Sequence, residues 1–289
     1  EGGGIFLGGG ASLEIENSLI TGNSTGGSSA HGGGIYVADD AAGLTVIGST
    51  ISENRTEGSN ARGGGIAKLT SDDFSQSEFF ASNIVIANST ISGNSTIGNS
   101  AVGGGVYFAG LDISNYGTQF ENAISTLAMV NVTVANNSTR GSSADGGGLF
   151  IRDINAENNF QNDVLDLHHL TITGNSTAGS SAEGGGIAGT FDITNSLILG
   201  NTASGTSATA DDQVNGSYIV KNTQIGGSAL GVFDQTLTVV NANGQNTGVL
   251  AGALPVDPEI GEGIALKDGG VAIDRGDAAL LPDDVLDLN

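Results

Sequence analysis

The sequence predicts an all-β chain wound as a right-handed parallel β-helix of about eight coils, with three short strands per coil and a C-terminal cap. The first observation is a run of three glycines followed by an aliphatic residue, which occurs six times. The second is an Asn nine residues before five of these runs, and the third is a two-residue alternation of apolar side chains. Such self-similarity indicates a repeat fold. The runs begin at Gly2, Gly32, Gly63, Gly103, Gly146 and Gly184.

Each repeat contains three short apolar runs, which are GGGIYV, LTVIG and STIS in the second repeat. Their apolar residues lie two apart, which is the period of a strand with one buried face. One repeat cannot bury its own inner face, so strands of stacked repeats are expected to pair at about 4.8 Å around a shared core. Crossovers between parallel strands are almost always right-handed, and this sets the predicted hand of the coil.

The predicted core consists of columns that take one residue from each repeat. The first run supplies Ile5, Ile35, Ile66, Val106, Leu149 and Ile187. The second supplies Leu13, Leu44, Ile84, Leu127 and Leu165, together with Ile15, Val46, Ile86, Met129 and Leu167. The third supplies Ile20, Ile51, Ile91, Val134 and Ile172. A column of small residues is expected under one corner, formed by Ala30, Ala61, Ala101, Ala144 and Ala182.

Two Asn-rich columns are predicted at the corners. The structural ladder is Asn23, Asn54, Asn94, Asn137, Asn175 and Asn201. The second column is Asn17, Gly48, Asn88, Asn131, His169 and Asn195. Asn and Gly tolerate left-handed backbone angles, and stacked Asn amides can hydrogen-bond from repeat to repeat. Several of these Asn lie in N-x-Ser/Thr sequences, but a buried ladder is the preferred interpretation over glycosylation.

The strict repeat covers residues 1–203 and weakens after them. Residues 204–256 are predicted to be degenerate coils, because Ala210, Asp211 and Asp212 stand where a seventh glycine run is expected. Residues 257–289 form an acidic segment that is expected to cap the last coil. Glu1 takes the position just before a glycine run, so we expect the sequence to begin inside a coil, as a fragment of a longer protein.

Three consecutive repeats carry long insertions at the same corner. The spacing between the first and second apolar runs is 6 residues from Leu7 to Leu13 and 7 from Val37 to Leu44. It rises to 16 from Lys68 to Ile84, 19 from Phe108 to Leu127 and 14 from Ile151 to Leu165. Insertions on one edge of a repeat protein are often its binding face. The alternative is that their aromatics fold back over the sheet. The candidate binding face is Asp72, Asp73, Phe79, Tyr116, Phe120, Arg152, Asp153 and Phe160.

Charge and composition restrict the partners. The 289 residues contain 8 Lys and Arg against 31 Asp and Glu, so the net charge is −23. We therefore expect no nucleic-acid partner, because phosphate backbones repel such a chain. No apolar run reaches about 18 residues, so no membrane insertion by this segment is expected. The chain has no Cys and hence no disulfide.

The motifs GGGIY and NSTISGNS resemble the repeats of bacterial surface β-helix proteins, including the passenger domains of polymorphic outer-membrane proteins and secreted adhesin-like proteins. The resemblance covers about residues 1–203 and implies a pectin lyase-like fold, whose members include lyases, hydrolases and non-catalytic adhesins. The runs 257–261 (DPEIG) and 272–277 (AIDRGD) resemble the ending of choice-of-anchor surface proteins. Both resemblances imply an extracellular or bacterial cell-surface location.

Signals for catalysis are sparse. A polygalacturonase-like site would add Gly-His-Gly and Arg-x-Lys to paired acids, and the Asp-Asp pairs of this chain lack those companions. Lys68 stands in a column that otherwise holds Leu7, Val37, Phe108 and Ile151. A catalytic role is one interpretation, but a strand distortion or snorkelling to solvent is favoured. His168 and His169 are expected to point to opposite faces, and none of the three His has an evident triad partner.

These observations favour a non-catalytic, rigid segment of a large bacterial cell-surface or secreted protein, acting in adhesion, extracellular matrix or filament formation. Its expected partner is a cell-surface glycan or matrix, or another copy of the chain stacked end to end. The alternative is a polysaccharide lyase or hydrolase that acts on acidic glycans at the insertion face. Calcium is the candidate cofactor, because oxygen ligands suit it. The predicted metal ligands are Asp274, Asp277, Asp283, Asp284 and Asp287.

Overall fold

The computed structural model describes residues 1–69, 82–110, 125–152, 164–203, 213–221, 223–226 and 238–239. Over these residues the regular elements are β-strands only, and strands of successive repeats pair in parallel in three sheets. The same residues contain no helix that is long and apolar enough to cross a membrane. The prediction of an all-β chain of stacked parallel strands is confirmed for this part of the chain.

The first sheet contains two files of strands and three further strands that extend them. One file is β1 (Ile5–Leu7), β5 (Ile35–Val37), β9 (Ile66–Lys68), β13 (Val106–Ala109) and β17 (Leu149–Arg152). The other is β2 (Ser12–Glu16), β6 (Gly43–Ile47), β10 (Asn83–Ala87), β14 (Thr126–Val130) and β18 (Val164–His168). The further strands are β21 (Ile187–Thr194), β24 (Val214–Lys221) and β26 (Thr238–Val239).

The second and third sheets each take one strand from a repeat. The second sheet is β3 (Leu19–Thr21), β7 (Thr50–Ser52), β11 (Thr90–Ser92), β15 (Thr133–Ala135), β19 (Thr171–Thr173), β22 (Leu197–Leu199) and β25 (Gln224–Gly226). The third sheet is β4 (Ser24–Thr25), β8 (Arg55–Thr56), β12 (Ser95–Thr96), β16 (Ser138–Arg140), β20 (Ser176–Ala178) and β23 (Thr202–Ala203).

The first five repeats therefore contain four strands each, and the prediction of three strands per repeat is wrong. The strand that sequence analysis missed follows the ladder Asn and is only two or three residues long. A run this short shows no apolar alternation, so its sequence gives no signal for a strand. Its inward residue is a threonine, which is buried in each of these repeats.

The two files of the first sheet become one continuous strand in the sixth repeat. At its start, Ile187 of β21 pairs with Leu149 of β17, and near its end Ile193 pairs with Leu167 of β18. This repeat has no insertion between its first two apolar runs. The strand ends that flank the insertions of the third to fifth repeats therefore stand where β21 passes directly from one file to the other.

The predicted core columns are buried. Ile35, Ile66, Val106, Leu149 and Ile187 are all inaccessible or nearly so, and the columns of the other runs join them in a single apolar cluster. Ile5, Leu13 and Ile20 of the first repeat are only partly buried and pack against this cluster. The Ala column is also buried from Ala61 onward. Alternation of period two was enough to identify the inner face because each strand has only two faces.

The corner columns differ in backbone conformation. The second Asn-rich column adopts positive φ in all six repeats, including φ 52° at His169, as predicted. The ladder residues do not, so the expectation of left-handed angles at Asn23 and its equivalents is wrong. The residue just before each of them carries the positive φ instead, and this position holds Gly22, Glu53, Gly93, Asn136, Gly174 and Gly200. The ladder Asn is thus selected for its amide and not for its backbone.

A charge placed in the core should unfold the stack. Ile91 of β11 is fully buried, whereas its neighbour Thr90 faces outward and is half-buried. Ile91→Asp should lower the free energy of unfolding by more than about 4 kcal/mol, because a buried unpaired carboxylate has no compensating partner. Thr90→Asp, on the opposite face of the same strand, should cost less than about 1 kcal/mol. Urea denaturation measures both, and equal losses would contradict the assigned faces.

Candidate functional site

The six ladder Asn side chains stand in one column and are hydrogen-bonded in series. Each Nδ2 donates to the Oδ1 of the Asn in the next repeat at 2.9–3.0 Å, from Asn23 through to Asn201. The backbone N–H of each Asn donates to the same Oδ1 at 2.9–3.0 Å. One carboxamide oxygen therefore accepts two hydrogen bonds, so both of its lone pairs are used.

From Asn54 onward, the second Nδ2 hydrogen of each ladder Asn is donated to a carbonyl of the preceding repeat, whereas that of Asn23 is donated to Thr21 of its own repeat. Asn54, Asn94 and Asn137 donate to the carbonyls of Ile20, Ile51 and Ile91, each at 2.9 Å. These three Asn and Asn175 are fully buried. Their amides satisfy polar groups that would otherwise be left unpaired in the interior. An enzyme could not reach them in the folded chain, which agrees with a ladder rather than glycosylation.

The three glycines of each run have three separate reasons to be glycine. The first adopts φ between 62° and 69° in all six repeats. A Cβ on the second would meet a carbonyl oxygen of the next repeat, at 2.4 Å for Gly104 against Gly147. A Cβ on the third would meet another such oxygen, at 2.6 Å for Gly105 against Gly148, and would also press on the ladder amide, at 3.1 Å from Asn137. The ladder Asn therefore fits into the stack only because the glycine run leaves space for its amide.

The ladder ends on a different amide. Gln213 takes the place of the third glycine, since its carbonyl accepts the N–H groups of Gly186 and Ile187. Its side chain reaches into the ladder, where Oε1 accepts from Asn201 Nδ2 at 2.8 Å and from Asn201 N at 3.2 Å. Its Nε2 donates back to the Asn201 carbonyl at 2.9 Å. No repeat pattern in the sequence signals this role, because Gln213 matches neither the glycine run nor the Asn column.

Adding one methyl group to a glycine run should disrupt the stack. Gly104→Ala places Cβ at 2.4 and 2.5 Å from two backbone oxygens, so the backbone must shift, and we expect a loss of at least about 2 kcal/mol. Gly26→Ala is the matched control, because Gly26 has an ordinary φ and its Cβ would meet no atom within 4 Å. Thermal and urea unfolding compare the two variants. A Gly104→Ala protein as stable as the control would show that the stack tolerates the added atom.

The insertion edge is only partly described. Of the predicted binding-face residues, Arg152 lies at the end of β17 and is exposed. The other seven, Asp72, Asp73, Phe79, Tyr116, Phe120, Asp153 and Phe160, lie outside the described residues. The backbone carbonyl of Arg152 accepts the N–H of Gly110 at 2.8 Å, so the strand that carries it is anchored to the preceding repeat.

Lys68 is buried in the core column and does not reach solvent. It is 2% exposed, and both neighbouring strands pair with it in regular register at Val37 and Phe108. The favoured expectations of snorkelling or a distorted strand are therefore wrong. Its Nζ donates to the carbonyl of Ala109 at 2.7 Å and lies 3.4 Å from Ser125 Oγ and 5.3 Å from the Phe108 ring centre. Ala109 and Ser125 stand on either side of the fourth repeat's insertion, so Lys68 contacts both ends of it.

The outer face of the first file carries an aromatic strip. Phe6 and Tyr36 lie 5.5 Å apart between ring centres, and Tyr107 and Phe150 lie 5.6 Å apart and nearly parallel. Arg62 covers Tyr107, with Cζ 4.8 Å from the ring centre and Nη1 2.8 Å from the hydroxyl oxygen. Tyr107 is 1% exposed and Phe6 is 58% exposed. From Tyr36 onward the strip is therefore an outer packing layer.

The column just before the glycine runs supplies the charged groups beside this strip. Burial raises the pKa of the Asp145 carboxyl, the hydrogen bond from the Glu183 backbone opposes this, and the Glu183 carboxylate adds to it. That hydrogen bond joins Glu183 N to Asp145 Oδ1 at 2.9 Å. Asn215 Nδ2 donates to Glu183 Oε2 at 2.6 Å. Asp145 and Glu183, which carry carboxylates on adjacent repeats, are therefore linked directly by this hydrogen bond.

His168 contradicts the expectation that no His has partners for a relay. Its two ring nitrogens contact Asp166 Oδ1 and Thr194 Oγ1. Sequence reasoning could not pair His168 with Thr194, because the two residues meet only through the register of β18 and β21. His169 occupies the corner, as predicted, and burial lowers its pKa with a smaller contribution from His168.

The predicted calcium ligands, Asp274, Asp277, Asp283, Asp284 and Asp287, lie outside the described residues. Within those residues, no group of three or more His, Cys, Asp or Glu side chains is placed to hold a metal ion. Comparisons with protein-family models, curated protein sequences and solved structures find no match to this chain.

Burial of His31 should make stability depend on pH. Its ring stacks on Tyr36, and burial lowers its pKa from 6.5 to about 4, with smaller effects of Arg62 and the amino terminus. Between these values the unfolded chain binds a proton that the folded chain does not. The stability contributed above pH 6.5 is therefore lost as the pH falls toward 4.

The expected loss between pH 7 and pH 4.5 is on the order of 1 kcal/mol, a value reduced for the partial exposure of the ring. His31→Val should remove this component, because Val102 occupies the same column in the fourth repeat. Urea unfolding at the two pH values gives the difference between the proteins. An identical pH dependence in both would exclude His31 as its source.

Proposed function

We propose that this chain is a rigid, non-catalytic segment of a large bacterial cell-surface or secreted protein, acting in adhesion, extracellular matrix or filament formation. In this proposal the three sheets wind as a right-handed parallel β-helix of about eight coils, and the C-terminal segment caps the last one. The partner is a cell-surface glycan or matrix, or another copy stacked end to end. The location is extracellular or at the cell surface.

The observation that carries the proposal is the unbroken series of side-chain amides through six repeats and into Gln213. Each of the first five repeats is bonded to the next by strand ladders in three sheets and by this column of amides. A stack linked in this way resists bending and shear, because displacing one repeat breaks several buried hydrogen bonds together. Rigidity over many repeats is the property that a stalk or filament requires.

The insertion edge is the proposed binding surface. All three long insertions leave the stack at the corner that β21 crosses directly, so their ends are aligned along one edge. Arg152 is exposed there and offers five donors for sugar hydroxyls or carboxylates. Lys68 supports this edge from within through its contacts with Ala109 and Ser125.

The rival proposal, a lyase or hydrolase of acidic glycans, needs a base that reaches substrate. Lys68 is an unsuitable base in the conformation described, because its ammonium group is buried and donates to a main-chain carbonyl. Arg152 is accessible, but a guanidinium group offers only hydrogen-bond donors and is unsuited to accept a proton from substrate. These two observations favour the adhesive function over the enzymatic one.

Arg152 provides the test of the binding surface. Arg152→Ala should weaken retention of the full chain on immobilised polysaccharides, both neutral (galactomannan) and acidic (polygalacturonate and alginate), by roughly fivefold, equivalent to about 1 kcal/mol. The buffer contains about 0.15 M salt, which screens the negative net charge of the chain. Arg140→Ala is the matched control, because Arg140 is also an exposed arginine at a strand end but lies in the third sheet. Biolayer interferometry measures both. Equal retention of the two variants would remove the insertion edge as the binding site.

The same polysaccharides distinguish an adhesin from an enzyme. The full chain should release neither unsaturated uronic-acid products nor reducing ends over a day of incubation. Product release that disappears in Arg152→Ala or Lys68→Met would overturn the adhesive proposal and support the lyase.

Calcium binding by the acidic tail is a separate part of the proposal. Five carboxylates lie within fourteen residues, from Asp274 to Asp287, and calcium would offset their mutual repulsion. Millimolar Ca²⁺ should then raise the melting temperature by mass action, and a chelator should reverse the rise. Titration calorimetry of the full chain against Asp283→Asn/Asp284→Asn measures the heat directly. Identical heats for the wild type and the double variant would show that Asp283 and Asp284 do not bind calcium.

A further inference from the structure

Three chemically active side chains meet on the outer face of the second file of the first sheet. Asp166 and His168 lie two residues apart on β18, so they project from the same face. Thr194 of β21 pairs with His168 in register and projects beside it. The cluster lies away from the Asn ladder and from the aromatic strip.

The contacts fit one neutral tautomer of the ring, in which Nε2 carries the proton. His168 Nε2 faces Asp166 Oδ1, and His168 Nδ1 faces Thr194 Oγ1. An ionised carboxylate only accepts hydrogen bonds, so Nε2 carries a proton. In the neutral ring Nδ1 is then an acceptor, and the Thr194 hydroxyl donates to it. The order is carboxylate, imidazole, hydroxyl, which is the order in which a histidine activates a nucleophile, with the two ring nitrogens exchanged relative to serine proteases.

Burial holds this arrangement in place and leaves it accessible. The side chains of His168 and Asp166 are 12% and 31% exposed, and Thr194 is 9% exposed. The imidazole is therefore held on two sides while part of the cluster still faces solvent. Partial removal of water strengthens both contacts relative to an exposed ion pair.

The repeat architecture does not require these residues. In the two preceding repeats the position of His168 is held by Ala87 and Val130, and the position of Asp166 by Val85 and Ala128. Small apolar residues therefore satisfy the same sites in the same sheet. The polar cluster occurs where β18 of the fifth repeat pairs with β21 of the sixth. Because β21 continues from the first file into the second without an insertion, it brings Thr194 beside β18.

Beyond the proposed adhesive role, which needs no chemistry at this cluster, we propose that Asp166, His168 and Thr194 form an acyl-transfer site that accepts small acyl esters. The non-catalytic description then applies to the stack and its insertion edge only. Thr194 Oγ1 attacks the ester carbonyl carbon while its proton passes to His168 Nδ1, and a carbon–oxygen bond to Thr194 forms. The bond to the leaving alkoxide breaks, and that alkoxide takes the proton from Nδ1 to become an alcohol. Water then gives a proton to Nδ1 and attacks the acyl carbon, which releases a carboxylic acid. Thr194 Oγ1 recovers the proton. Asp166 orients the ring and stabilises its charged form.

The test uses the full chain with 4-nitrophenyl acetate as the probe. We expect release of 4-nitrophenolate together with an acetyl group on the peptide that contains Thr194, identified by mass spectrometry. His168→Val and Thr194→Val should each lower the release at least tenfold, within the range of general acid–base contributions. Asp166→Ala should lower it less, because Asp166 acts only through the ring and exchanges no proton with the ester or with Thr194.

The matched control is His169→Asn. His169 is the adjacent histidine, and Asn131 and Asn195 hold the same corner position in neighbouring repeats. This variant should keep the full rate. Urea unfolding of every variant separates lost chemistry from lost folding, and Val130 at the His168 position shows that the sheet accepts valine there.

Equal rates in the wild type, His168→Val and Thr194→Val would overturn the proposal and leave a surface ion pair only. Acetylation confined to Lys side chains or the amino terminus would do the same. Neither result bears on polysaccharide retention through Arg152, so failure of this site and failure of the adhesive function are distinguishable.

Discussion

The structure depends on the interlocking of the Asn ladder with the glycine runs. Each ladder amide spans the distance between adjacent strands, so it can bond to the next amide only when the repeats are stacked in register. A Cβ on the third glycine of a run would overlap a carbonyl oxygen of the next repeat and press on that amide. Gln213 is informative because it breaks the glycine rule and itself supplies the amide in the next ladder position. What each repeat requires at this position is therefore room for the ladder amide, which glycine leaves free and which the side chain of Gln213 itself occupies.

This constraint leaves the outer faces and one corner free to vary. Insertions are tolerated where the two files of the first sheet meet, since no ladder amide lies at that corner. Outward positions accept residues as different as Val130, His168 and Thr194 in one column. A scaffold fixed from within can therefore carry separate surface features, here the insertion edge, the aromatic strip and the histidine cluster. Function on such a fold depends on these features and not on the fold itself.

Buried polar groups are where sequence reasoning was least successful. Lys68 was expected to escape to solvent because an isolated buried charge is expensive. It stays in the core because the carbonyl of Ala109 and the hydroxyl of Ser125 lie within reach across the stack. Both groups come from the following repeat, so nothing near Lys68 in sequence indicates them. The short strands of the third sheet were missed for a related reason, since their pairing is visible only between repeats.

The sequence by itself determined the repeat, the inner face of each strand, the column of ladder Asn and the corner that carries the insertions. These features follow from spacing along the chain, because a strand alternates its faces with period two and a stacked repeat places equal positions above one another. Only the tertiary structure decided that each of the first five repeats has four strands, that Lys68 is buried, and that Asp166, His168 and Thr194 meet. Those outcomes depend on register and on contacts between repeats 26 to 57 residues apart, as between His168 and Thr194 or Lys68 and Ser125. Local sequence cannot specify such contacts, because each partner is supplied by a different turn of the stack.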